Sequence, residues 1–137
     1  MYERLLVAVD HSEISDRVIA AARDIASLSK GKVWVLHLQE REWGRIGRTP
    51  TETDQEAREA VTRGVQALIQ AGVDAQGEVR EALHGHAAPE IVEDARKHDA
   101  GVIIMGSRGR SDIAGLVLGS TAHKVIHLTD RPVLVIR

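Results

Sequence analysis

Cysteine is absent from the chain, which removes disulfide frameworks, thiolate metal sites and cysteine nucleophiles together. Phenylalanine is also absent, and aromatic residues make up only 2% of the sequence, so no stacking platform for single-stranded nucleic acid is expected. Charge of one sign is not in excess. A formal net charge of −2 over 137 residues supplies no electrostatic reason for a nucleic-acid partner. Long apolar runs are missing too. The opening "MYERLLVAVDHSE" holds a short apolar run that Asp10 interrupts, too short for a signal-peptide core or a membrane span. No membrane association is expected, and the expected location is the cytoplasm. Internal repeats and low-complexity segments are lacking as well.

What is present is ordinary for a globular protein: 43% hydrophobic and 28% charged residues. The length predicts one domain, 1–137, with a single sizeable core. Strand-like and helix-like segments alternate. "LLVAV" (5–9) is a continuous apolar run; from Ile14, apolar residues recur at Val18, Ile19, Ala22, Ile25 and Ala26, one face of a helix, with Gly31 as the stop. "VWVLHL" (33–38) reads as a second buried strand, and 40–54 as a loop of about fifteen residues, long by usual standards. A second helix carries Ala57, Val61, Val65, Leu68 and Ile69 on one face and ends at Gly72. "VDAQGEVREAL" (73–83) is a weaker strand with a candidate bulge at Gly77. Pro89 opens a third helix, "VIIM" (102–105) is the fourth strand, a fourth helix starts near Ser120, and "PVLVI" (132–136) closes the series. Apolar strands alternating with amphipathic helices predict an α/β fold: an open parallel five-stranded, Rossmann-like sheet with helices on both faces.

In such sheets ligands sit beyond the carboxyl ends of the strands, where strand order reverses. With the first strand central, that crevice lies between it and the fourth, at Asp10 and Gly106. Between the fourth strand and fourth helix stands "MGSRGRSDIAGLVLGST" (105–121), rich in glycine. A phosphate cradle, a hinge and a long turn all use such backbone freedom. Neither the Walker A spacing nor the dinucleotide fingerprint is present. The pattern is G-x2-G-x9-G-[ST], formed by Gly106, Gly109, Gly119, Ser120 and Thr121. Gly106 and Gly109 permit close approach of backbone to phosphate, and a helix opening at Gly119 presents unpaired N–H groups and a positive dipole end. The hydroxyls of Ser120 and Thr121 can cap that helix or reach phosphate oxygens. The three-glycine spacing after the fourth strand favours the phosphate role. Arg108 and Arg110 suit phosphate pairing or a solvent-facing loop equally.

The sequence resembles the universal stress protein family over nearly its whole length. The resemblance rests on "LLVAVDHSEIS", "VWVLHL", "VIIMGSRGRSDIAGLVLGSTAHKVI" and the closing "RPVLVIR". The intact glycine motif resembles that of the family's ATP-binding branch, and the fold implied is adenine nucleotide alpha hydrolase-like. The resemblance implies that Ala8, Val9 and Asp10 line a nucleotide pocket and that Leu38 contacts adenine. It places Met105 and Gly106 near ribose and base, and Gly109, Gly119, Ser120 and Thr121 on the phosphates. Asp10 becomes a candidate Mg²⁺ ligand, since this ion often takes one or two carboxylates plus phosphate oxygens; capping of the first helix is the alternative. Two departures stand out: His11 replaces the glycine of many members, and 40–54, with Trp43, Arg45 and Arg48, matches no family pattern.

The function implied is ATP-dependent regulation in the cytoplasm, with at most slow hydrolysis. A nucleotide-free dimeric scaffold and a small enzyme acting on another phosphorylated ligand are the alternatives. Ser107, Ser111 and Ser120 have no histidine partner by motif, and no G-x-S-x-G elbow exists, which disfavours the enzyme. His123 and His127 have metal-ligand spacing but no third ligand, and His84 and His86 read as turn residues. The apolar last strand should lie at a sheet edge, where unpaired backbone groups invite pairing with a second copy. A homodimer through the C-terminal strand is therefore expected.

Overall fold

The computed structural model describes residues 2–10, 12–41, 52–108 and 118–137. Five strands and four helices alternate through them: β1 (Arg4–Ala8), α1 (Ile14–Ser29), β2 (Lys32–Arg41), α2 (Asp54–Gln70), β3 (Asp74–Leu83), α3 (Ala87–Lys97), β4 (Val102–Gly106), α4 (Ser120–Leu128) and β5 (Val133–Ile136). The sheet order is β3-β2-β1-β4-β5, and every pairing is parallel. This is the α/β sheet expected from the alternation.

Burial of both strand faces explains the unbroken apolar run of β1. Leu5 and Val7 join one core with Val18, Ile19, Ala22 and Ala26 of α1 and Val61 and Leu68 of α2. Leu6, between them, joins a second core with Ile91, Val92 and Ala95 of α3 and Ala122 and Val125 of α4. Successive side chains of a strand point to opposite faces, so α1 and α2 cover one side and α3 and α4 the other. The chain leaves β1 toward β2 and β3, then returns to its other side for β4 and β5. Order reverses between β1 and β4, as the sequence predicts.

Several boundaries differ from the expected ones. β2 runs to Arg41, beyond the apolar run that stops at Leu38, and α2 begins at Asp54; within the expected 40–54 loop, residues 42–51 lie outside the described residues. Helix α1 ends on Lys30, in the left-handed region at φ 54°, one residue before the expected stop. Gly77 is not a bulge: the β2–β3 register passes through Val35↔Gly77 without a skip. A Cβ there would stand 2.5 Å from the Val35 carbonyl oxygen and 2.7 Å from Val61 Cγ1. Glycine is required because α2 presses directly on the sheet. The weakly patterned β3 is a full edge strand, paired with β2 over ten registered positions.

Candidate functional site

The carboxyl ends of β1 and β4 form the rim of the crevice. On the β1 side, the Val9 N–H donates to the Leu36 carbonyl (2.9 Å), one bond past the end of the β1–β2 ladder. Main-chain groups two residues apart in a strand face the same way. The N–H and C=O of Leu38 therefore face the side on which β1 has already ended, toward the crevice. Ala8 and Leu38 are half-buried and pack with buried Met105 in the core under α3 and α4. Leu38 and Met105, expected near base and ribose, thus share one apolar floor with Ala8, expected to line the pocket, with a main-chain donor and acceptor at its border.

Asp10 follows β1 and organises the turn into α1. Its Oδ1 accepts from the Ser12 N–H (2.7 Å), from the Ser12 hydroxyl and from the Ser15 hydroxyl (3.0 Å). Its own N–H donates to Ser15 Oγ (2.9 Å). Asp10 does not cap α1, whose N-cap position is Glu13 with no side-chain cap; it closes the preceding turn instead, with three donors on a single carboxylate oxygen. Oδ2 is the atom left for a cation, so a metal role for Asp10 depends on phosphate oxygens to complete the shell. Among the described residues, no group of three or more His, Asp or Glu side chains could hold a metal ion.

At the end of β4, Gly106 is required by packing. A Cβ there would stand 2.7 Å from Cγ2 of Ile14, the first residue of α1. Beyond it, the buried Ser107 donates its N–H to the Ile136 carbonyl (2.7 Å), and its own carbonyl accepts the Gly119 N–H. This pair of bonds pins the start of α4 over the ends of β4 and β5. Gly119 is the N-cap residue, with no side-chain cap, and the first intrahelical bond runs from the His123 N–H to the Gly119 carbonyl (3.0 Å). The N–H groups of Ser120, Thr121 and Ala122 precede that bond and have no partner inside the helix. The Ser120 and Thr121 hydroxyls do not cap α4. The Gly119 N–H, by contrast, is committed to Ser107.

Arg108 is exposed just past β4. Gly109, Arg110 and His11 lie outside the described residues. His123 and His127 meet edge to face, with ring centroids 4.6 Å apart. His84 sits on Glu40, Nδ1 to Oε2 at 3.0 Å.

The sequence reading passed over two polar clusters. His37, inside the apolar stretch of β2, is buried, with Nδ1 2.7 Å from the Val9 carbonyl oxygen and Nε2 2.7 Å from Glu52 Oε1. Asp94 on α3 is fully buried against Trp34 Nε1 (2.8 Å) and Arg80 Nη1 (2.6 Å). The available signal was a titratable residue at a position the pattern assigns to the interior, which demands hydrogen-bond partners.

Comparison with known proteins agrees with this architecture. The family model described as universal stress protein family matches residues 1–137. The universal stress protein YxiE of Bacillus subtilis is 29% identical over 153 aligned positions, which span 100% of both chains. A universal stress protein structure from Archaeoglobus fulgidus superposes with a TM-score of 0.77 at 32% identity, covering 100% of each chain. A further structure from that organism, solved in complex with dAMP, gives 0.74 at 27% identity and covers 99% of this chain and 98% of its own. With its full length matched and its sheet reproduced, the chain belongs to the universal stress protein family.

Proposed function

We propose that the protein binds ATP in the β1–β4 crevice and acts as a nucleotide-dependent regulatory factor of the cytoplasm. The observation that carries this reading is the start of α4. Three main-chain N–H groups without helical partners open α4 beyond the carboxyl end of β4, and Ala122 of that helix shares a core with Ala8, Leu38 and Met105. Helix N-termini of this kind receive phosphate through N–H groups and the positive end of the dipole. The phosphates would lie on Ser120 and Thr121, with Gly109 and Arg108 on the approach from β4. Gly106 and Gly119 shape the backbone around them. The base would lie on the apolar floor, where the Leu38 N–H and C=O match the acceptor and donor on one edge of adenine. Val9 and Asp10 close the β1 side. Asp10 Oδ2 would meet Mg²⁺ carried in by the phosphates. The dAMP complex of the 27% identical relative supports an adenine nucleotide as the class of ligand.

Any hydrolysis in this reading is slow and incidental to binding. The partner in this reading is a second copy of the chain. β5 lies at the sheet edge and carries an exposed Leu134. Its free edge offers backbone groups for antiparallel pairing across a two-fold axis. Neither nucleic acid nor a membrane is a partner in this reading. Denaturing freshly purified protein and identifying the released small molecules by mass spectrometry tests the ligand. An adenine nucleotide in near-stoichiometric amount is expected. Its absence, together with no ATP binding in titration, would leave the nucleotide-free scaffold as the better account.

A further inference from the structure

Residues 52–54, which lead into α2, are held to the sheet by polar contacts from alternate residues of β2. His37 Nε2 meets Glu52 Oε1 at 2.7 Å. Gln39 Nε2 donates to Asp54 Oδ1 (3.0 Å) and to the Glu52 carbonyl (3.4 Å). Arg41 Nη2 donates to Asp54 Oδ1 (3.0 Å) and pairs with Glu81. All three side chains lie on the face covered by α1 and α2, as their spacing of two demands. His37 differs from its neighbours in also holding the Val9 carbonyl, at the rim of the crevice and one residue before Asp10.

The protons of this bridge can be counted. A carbonyl oxygen only accepts, so Nδ1 must carry a hydrogen. The contact between Nε2 and the carboxyl group needs a second proton, carried by the ring or by Glu52. Losing either end removes one of the two contacts that hold the buried ring between β1 and the start of α2.

We propose that His37 is a positioning residue for the crevice, fixing the Val9–Asp10 rim by tying the Val9 carbonyl to Glu52 at the start of α2. The dependence of nucleotide affinity on this bridge rests on the proposed ATP site. The bridge itself does not. Glu52 meets the rim through His37 Nε2, so removing its carboxyl group tests the bridge from the end away from Val9.

The test uses the full chain and four variants, His37→Leu, His37→Asn, Glu52→Ala and Glu52→Gln, each checked for folding by circular dichroism. ATP affinity is measured by calorimetry, and amide hydrogen exchange is measured without nucleotide. His37→Leu and Glu52→Ala should each weaken ATP by about tenfold, the factor that corresponds to ~1.4 kcal/mol, and should speed exchange over 52–57. Glu52→Gln should restore most of the affinity, because its amide can donate to Nε2 while Nδ1–H stays on Val9. His37→Asn keeps a donor toward Val9 without reaching Glu52, and should separate the two ends: slow exchange lost over 52–57, affinity intermediate. If Glu52→Ala binds ATP like wild type while its exchange over 52–57 speeds, the bridge is structural only and the proposal is overturned. Equal losses in Glu52→Ala and Glu52→Gln would overturn it as well. Wild-type protein that binds no ATP would remove the nucleotide reading and the coupling with it. Unchanged apo exchange in His37→Leu would remove the bridge itself.

Discussion

Replacing Arg80 by Met withdraws the guanidinium from a carboxylate that has no access to water. The Asp94 side chain is 0% exposed and takes Arg80 Nη1 at 2.6 Å and Trp34 Nε1 at 2.8 Å. Its main-chain carbonyl accepts from the N–H of His98, whose ring stacks on Trp34 with centroids 4.1 Å apart. The cluster thus fastens α3 to β2 and β3 with polar contacts in addition to the apolar ones of Ile91, Val92 and Ala95. Breaking a buried ion pair from one side costs ~3–5 kcal/mol, because the other charge stays buried. Arg80 is 29% exposed, so water screens part of the pair and the lower end, ~3 kcal/mol, applies. Glu90, 3.3 Å from Arg80 Nη2, loses its cation too, but at a more exposed position where the effect is small. For a chain of this length ~3 kcal/mol corresponds to a melting temperature lower by ~12 °C, a large share of a total stability of ~5–15 kcal/mol. Urea denaturation followed by circular dichroism measures the loss. The double variant Arg80→Met/Asp94→Leu removes both charges and should stand ~1–2 kcal/mol above the single variant, with the Trp34 N–H left as the residual cost. A single variant within ~0.5 kcal/mol of wild type, or a double variant less stable than the single, would refute the reasoning.

Three further outcomes are expected. Gly119→Val puts a branched side chain at the buried N-cap of α4 and should abolish ATP binding in a protein whose circular dichroism is unchanged; retained affinity in a folded variant would remove phosphate binding from this helix start. Asp10→Asn keeps an oxygen for the Ser12 and Ser15 donors, so the turn should survive, while ATP titrations with and without Mg²⁺ should converge; the wild-type metal dependence in the variant would exclude a ligand role. Leu134→Lys places a charge on the exposed edge strand and should convert a dimer to monomer in light scattering at micromolar concentration; a monomeric wild type would refute the dimer, and a dimeric variant would place its interface elsewhere.

Local pattern was enough to read the order of elements. The apolar run 5–9 and the period of Val18, Ile19, Ala22 and Ala26 are properties of neighbouring residues, because a buried strand and an amphipathic helix each write their own repeat into the chain. From that alternation came the parallel sheet and the reversal of strand order between β1 and β4. The family resemblance was legible for the same reason: its motifs are short and contiguous. Contacts between distant residues decided the rest. The length of β2 was hidden because Gln39, Glu40 and Arg41 are polar, and Gln39 is buried only because Glu52 and Asp54 come to meet it. Gly77 read as a bulge until α2 was seen against it, with Val61 where a side chain would stand. Asp10 carried two readings in sequence. The structure puts it in a turn to Ser12 and Ser15 ahead of the helix, not on the N-cap, which is Glu13. Where α4 begins depended on the Gly119 N–H being tied to the Ser107 carbonyl just past β4, a contact between residues twelve apart in the chain. A strand or helix is encoded within a few residues, whereas the partner of a buried polar atom is settled only when the chain closes on itself.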